Sequence, residues 1–279
     1  MATPTLTSHQ LPGRLGPILV DVRATQRTSP QPAVIVHHGF KGFKDYAFIP
    51  VFAERLARGG FTAVTASVSG SGVDEAGDFT LLDRFAANTY SIELDDLGAL
   101  LRALHDGELG TVPPSSTGLV GHSRGGGMAL CFARESPQIA AVATWAGIGQ
   151  ARRHSDRELA IWRKLGTIEV ENQRTKQMLP LHFNVVEDWL KHERGRLDIP
   201  AAAAALGRPW LQIHGTADGT VLMDEARALS RFGRGPHFGS HFITGADHTF
   251  GTKHPWAGPS SHSDRVFDLT MEFVSRHLR

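Results

Sequence analysis

The chain has 279 residues, 41% of them hydrophobic, which fits one large globular domain or a domain carrying an insertion. Its 29 basic and 28 acidic residues leave a net charge of +1, which argues against a basic nucleic-acid-binding surface. The single cysteine, Cys131, excludes an intrachain disulfide, and no apolar run reaches the roughly 20 residues of a membrane span.

The opening MATPTLTSHQLPG is polar and contains proline. It lacks a basic stretch followed by an apolar core, so no secretory signal is expected and a cytoplasmic setting is the default. GPILVDVRAT (16–25) reads as an edge strand. AVIVHHG (33–39) is a β-branched apolar run ending in glycine, as for a strand buried on both faces. IPVFAERLARGG (49–60) has helical spacing and a glycine stop, and FTAVTASV (61–68) is the next strand. TYSIELDDLGALLRALHDG (89–107) is an amphipathic helix with Leu94, Leu97, Leu101 and Leu104 among its apolar positions. TGLVG (117–121) is a strand and GGMALCFARES (126–136) a helix, with Cys131 a buried apolar residue of that helix. Further strands are expected at 139–147, 209–215 and 240–245, and helices at 223–232 and 263–278. This alternation predicts an α/β fold: a mostly parallel sheet with helices on both faces.

Residues 148–208 break the rhythm with charged stretches and with Trp162, Phe183 and Trp189. GTIEVENQRTKQMLP suggests a small hairpin turning at Asn172 to Arg174, and Ala201 to Ala205 a short helix. The expected organisation is a core of residues 1–147 and 209–279 with a cap inserted at 148–208.

Function in such sheets collects at the carboxyl ends of the strands. Gly121-His122-Ser123-Arg124-Gly125 sits between a strand and a helix and matches G-x-S-x-G. A nucleophile on so sharp a turn leaves no room for a Cβ two residues away on either side, hence Gly121 and Gly125. Gly126 and Gly127 read as close packing of the helix on the sheet. A serine needs a base, and the base needs an orienting carboxylate, in the chain order serine, acid, histidine. Asp218 follows the strand PWLQIHG, and His248 follows SHFITG, in that order. Asp247 would point the other way, Asp156 lies at greater distance, and Asp224 reads as a helix cap. Among the histidines, His254 sits deeper in a loop, His241 lies in a strand and His237 before it. His122 and His214 adjoin strand ends and read as structural. Stabilising an oxyanion requires backbone N–H donors. Arg124, after the serine, is one candidate, and Phe40 in the loop HHGFKGFKD is the other.

The loop SGSGVDEAGDF (69–79) lacks the G-x-G-x-x-G spacing of a nucleotide cradle, and no H-E-x-x-H is present, so no metal site is expected. Taken together, HHGFKGFKD, SGSGVDEAGDF, GHSRGG, IHGTADGTV and GADHTF resemble the α/β-hydrolase superfamily. They are most similar to bacterial cinnamoyl/feruloyl-esterase-like and dienelactone-hydrolase-like members. The resemblance spans residues 30–279. It implies Ser123 as nucleophile, His248 as base, Asp218 as its orienter, and Phe40 and Arg124 as the oxyanion hole. It also implies that the insertion is a small hairpin-bearing cap that shapes the acyl pocket. Trp162, Phe183 and Trp189 are candidate lining residues of that pocket, with cap core as the alternative and the better reading of each one singly. Dienelactone hydrolases carry cysteine at the position of Ser123, a departure in this chain. The expected activity is cofactor-free hydrolysis of a small-molecule carboxylic ester, of small or aromatic acyl groups, with no nucleic-acid or membrane partner. The alternatives are a thioesterase, an amide or peptide hydrolase with the same triad, a non-hydrolytic enzyme such as a lyase, and a non-catalytic binding protein of the fold. The Arg124, Lys41 and Lys44 side chains are expected to be structural or solvated, with Arg124 paired to a surface acid.

Overall fold

The computed structural model describes residues 3–25, 28–234 and 237–279; the first two residues of the polar opening lie outside them. β1 (Thr5–Gly13) and β2 (Gly16–Ala24) form an antiparallel hairpin. β1 falls in the stretch read as merely polar. It is an edge strand with Leu11 as its only buried residue, so it carries almost no hydrophobic pattern. The chain continues through β3 (Ala33–His37), α1 (Ile49–Arg58), β4 (Thr62–Ser67), α2 (Leu82–Ala87) and α3 (Tyr90–His105). β5 (Thr117–His122), α4 (Arg124–Glu135) and β6 (Ile139–Trp145) follow. α2, six residues long, was not expected, being too short to show a period.

The segment between β6 and β9 holds α5 (Asp156–Leu165), β7 (Thr167–Glu171), β8 (Met178–His182), α6 (Asn184–His192) and α7 (Ile199–Ala204). β7 and β8 pair antiparallel, from Thr167 with His182 to Glu171 with Met178. α7 occupies the alanine-rich stretch, its first turn capped by the Asp198 carboxylate, which accepts from the Ala201 N–H at 2.9 Å. β9 (Trp210–Gly215), α8 (Met223–Ser230), β10 (Phe238–Ile243) and α9 (Ser261–Leu278) complete the chain. β10 begins two residues before the expected strand. It is an edge strand whose register is set by pairing with β9, Phe238 opposite Trp210, rather than by a buried face of its own.

Among the described residues the main sheet has eight strands in the order β1-β2-β4-β3-β5-β6-β9-β10, parallel from β4 to β10. β3, β4, β5 and β9 are buried along their whole length because helices cover both faces. The two-residue period sorts β3: Ile35 enters the core under α3 and α4, and Val34 and Val36 enter the core under α1 and α9. Burying each such side chain stabilises the fold by about 1.5–3 kcal/mol. Cys131 is buried, and burial pushes its thiol up to about 12, so it acts as apolar filler. From β3 the chain steps to β4 on one side and returns to β5 on the other. The loops after β3 and β5 therefore flank a topological switch point, where a crevice opens. No helix of the described residues is long and apolar enough to cross a membrane.

Candidate active site

Ser123 links β5 to α4 with φ 57° and ψ −120°, a region that costs about 1–3 kcal/mol for a non-glycine residue. The turn closes tightly. A Cβ on Gly121 would lie 2.1 Å from the Gly125 carbonyl oxygen, and one on Gly125 would lie 2.3 Å from the His38 carbonyl oxygen. α4 begins at Arg124, two residues before the helix expected at Gly126. The Ser123 carbonyl accepts from the Gly126 N–H at 3.0 Å, so the first turn follows from the elbow despite its glycines. A Cβ on Gly126 would sit 2.7 Å from Gly147 Cα, which puts the helix directly on the strand end of β6.

The His248 ring bridges Ser123 and Asp218. Its Nε2 lies 3.0 Å from Ser123 Oγ and its Nδ1 lies 2.8 Å from Asp218 Oδ2. Asp218 Oδ1 accepts from the Thr220 and Val221 N–H groups at 2.8 and 2.9 Å. Burial raises the Asp218 carboxyl, but the bond to His248, its charge and the two backbone donors outweigh burial and hold the group below its usual value. An ionised Asp218 fixes the proton on Nδ1, leaving Nε2 to accept from the serine hydroxyl.

The other acids and histidines lie elsewhere. Asp247 accepts from the Thr249 and Gly251 N–H groups, and Asp156 starts α5 and pairs with Arg152. Asp224 lies in the first turn of α8 beside Arg227 and is not its cap, which is Leu222. His254 Nδ1 accepts from the Ala47 N–H, and His241 is exposed on β10. His122 donates from Nε2 to the His248 carbonyl at 2.9 Å, and His214 donates to the Val221 carbonyl at 2.8 Å while approaching Asp218 to 3.4 Å. Both rings thus brace the loops that carry His248 and Asp218.

Burial, with the nearby His248 charge, holds His122 down at about 3, and burial holds His38 at about 4. The unfolded chain protonates these rings near 6.5, so between 6.5 and about 4 it binds more protons than the fold. Stability therefore rises with pH across that window and is lost on acidification. Asp218 adds a further loss as pH falls below its unfolded value of 3.8. The expected result is a melting temperature that falls steadily from pH 7 to pH 4 in calorimetry; a flat profile would contradict it.

The loop after β3 comes up against the serine. A Cβ on Gly39 would lie 2.8 Å from Ser123 Cβ. His38 fixes the loop from inside, donating from Nδ1 to the Gly39 carbonyl at 2.8 Å and accepting the Val68 N–H at Nε2. Among the described residues, the backbone N–H groups of Phe40 and Arg124 have no acceptor within the protein. The Ser123 hydroxyl, the His248 ring and the Asp218 carboxylate thus form one line, with the Gly39 backbone against Ser123.

The dienelactone hydrolase family model matches residues 20–167, more than half of the chain. The chain belongs to the dienelactone hydrolase family. It is a serine hydrolase of carboxylic esters with the α/β-hydrolase fold. Among solved structures it is similar to the dienelactone hydrolase of Anabaena variabilis, at 17% identity and TM-score 0.66, covering 99% of this chain and 100% of that one. It is also similar to Est1E of Butyrivibrio proteoclasticus with ferulic acid bound, at 18% identity and TM-score 0.70, covering 96% of this chain and 98% of that one. The esterase domain of a Rhodothermus marinus protein is a third, at 19% identity and TM-score 0.66, covering 99% and 100%. No curated protein gives a match.

Beside Phe40 and Arg124, this family member has a cavity of about 330 Å³. Phe40, Phe85 and Tyr90 line it on one side, and Trp162, Leu181 and Trp189, from the segment between β6 and β9, on the other. Phe183, a candidate lining residue, is not on the wall: its ring packs edge-on against Trp162 at 5.9 Å, behind the surface. The Arg124 guanidinium is half-buried at the cavity rather than paired at the surface. It bonds the buried Glu93 at 3.1 Å and stacks on Phe40 and Tyr90 at 4.2 and 4.7 Å. Lys44 pairs with Asp21 and Asp45, and Lys41 donates to the Glu171 carbonyl. Glu93 was missed, although the sequence carries a signal for it. It shares the apolar stripe of α3 with Leu97, Leu100 and Leu104, where a charge requires a buried partner.

Proposed function

We propose that this esterase cleaves its substrate through an acyl-enzyme on Ser123, and that residues 148–208 act as a cap over the acyl pocket. His248 takes the hydroxyl proton as Oγ attacks the ester carbonyl, and Asp218 stabilises the imidazolium. The Phe40 and Arg124 N–H groups receive the oxyanion. As the tetrahedral intermediate collapses, the C–O bond to the alcohol breaks and His248 returns the proton to the departing oxygen. Water then attacks the acyl-enzyme by the same route and releases the acid and free Ser123. The observation that carries this reading is the unbroken line from Ser123 Oγ through His248 to Asp218, with contacts of 3.0 and 2.8 Å.

The acyl group enters the aromatic-lined cavity of about 330 Å³, a volume at the small end for ligand sites. Short, branched and aromatic acyl esters are therefore the expected substrates. In a panel of p-nitrophenyl esters, kcat/KM for benzoyl, cinnamoyl or butyryl esters should exceed that for a dodecanoyl ester by about tenfold or more. A preference for the long chain would reject the pocket assignment. A fluorophosphonate probe should label Ser123 in the folded enzyme, and an unlabelled Ser123 would reject the nucleophile.

A further inference from the structure

The β7–β8 hairpin reaches past the cavity and touches the loop that carries Phe40. Its turn is fixed by Asn172, whose side-chain oxygen accepts the Arg174 N–H at 3.2 Å and whose N–H donates to the Gln177 carbonyl at 2.8 Å. The turn presents the Arg174 guanidinium to three rings: its Cζ lies 5.3 Å from the centre of Tyr46, 5.7 Å from Phe43 and 5.9 Å from Phe79. Phe43 and Tyr46 belong to the segment joining β3 to α1, a few residues beyond Phe40. Tyr46 in turn stacks on His254 at 5.4 Å, in the loop that follows His248. Two further bonds tie the hairpin down, from Lys41 Nζ to the Glu171 carbonyl at 3.0 Å and from Gln177 Nε2 to the Phe79 carbonyl at 2.9 Å.

The Phe40 segment needs such support. Lys41 and Ala47 lie at φ 60° and 45°, left-handed conformations that a non-glycine chain holds only when its surroundings impose them. We infer that Arg174 is a positioning residue: its guanidinium, clamped among Phe43, Tyr46 and Phe79, holds the segment that aims the Phe40 N–H at the oxyanion. Arginine suits the task better than lysine, because a flat, weakly hydrated cation stacks on rings where an ammonium prefers water. The role couples the insertion to the chemical step, beyond its part as a pocket wall. The inference rests on the reading of Phe40 as an oxyanion donor.

The test compares wild type, Arg174→Ala and Arg174→Lys on one short-chain p-nitrophenyl ester. It adds the inhibition constant of a trifluoromethyl ketone, which forms an oxyanion on the serine. Losing an oxyanion donor outright costs about 10²–10³ in kcat; misaiming one should cost less, about tenfold. Arg174→Ala should lower kcat about tenfold with KM within about twofold, and weaken the ketone in step. Arg174→Lys should recover only part of the loss. Both variants should keep the wild-type melting temperature within a few degrees, since Arg174 sits on a partly exposed turn. Unchanged kcat, a raised KM alone, or a ketone constant that does not move would overturn the inference. A wild-type enzyme that the probe does not label at Ser123 would instead reject the reading of the site itself.

Discussion

Replacing Ser123 by alanine should lower kcat for ester hydrolysis by about 10⁶ and leave the fold intact. The change removes Oγ, the only atom of the side chain that can attack a carbonyl. It keeps the Cβ that packs against Gly39, so the elbow is undisturbed. Alanine also inherits the backbone at φ 57°, so the strain of the turn is neither relieved nor increased. His248 loses a hydrogen-bond partner, but its side chain is 18% exposed and water can replace the hydroxyl. Steady-state kinetics and calorimetry check both halves. A loss under about a hundredfold would show that another group attacks the ester, because oxyanion donors and binding alone supply only the residual rate.

The second large effect is expected at Asp218. In Asp218→Asn the amide oxygen remains on the Thr220 and Val221 N–H groups, which can be met only by an acceptor. The NH₂ group then faces His248 Nδ1 and donates to it. That bond selects the tautomer with the proton on Nε2, where it points at Ser123 Oγ and cannot receive the serine proton. A fall in kcat of about 10⁴ is expected, with KM little changed, because the substrate touches neither atom. The two effects should not add in the double variant, since both act on one proton transfer. A double variant whose loss equals the product of the single losses would separate Asp218 from the serine's chemistry.

Legibility in the sequence differed between the parts of this site, for physical reasons. His248 follows the parallel edge strand β10, whereas Ser123 and Asp218 each follow a buried parallel strand. Such strands announce themselves as apolar β-branched runs, so the loops at their ends could be located and ordered along the chain. The elbow was legible for a second reason: a Cβ on Gly121 would collide with the Gly125 backbone of the same turn, a local clash, although Gly125 itself is pressed by the His38 carbonyl of a distant loop. The edge strands were harder. β1 went unseen and β10 was displaced by two residues, because an edge strand has one partner and few buried positions to mark its period.

The sequence by itself determined the parallel α/β order, the elbow, and the chain order of serine, acid and histidine. These depend on short-range sterics and on the two-residue period of buried strands. Only the tertiary structure decided what surrounds them. Glu93 comes from α3, Arg124 from α4 and Phe40 from the loop after β3, and no spacing along the chain foretells that they form one stack. Phe183 was drawn off the cavity wall by Trp162, while Tyr90 and Phe85 were brought onto it. Arg174, at the tip of a hairpin, meets Phe43 and Tyr46 only because the β7–β8 hairpin packs against the segment after β3. Contacts of this kind follow from how whole elements pack, and side chains far apart in the chain meet only when the packed layers put them face to face.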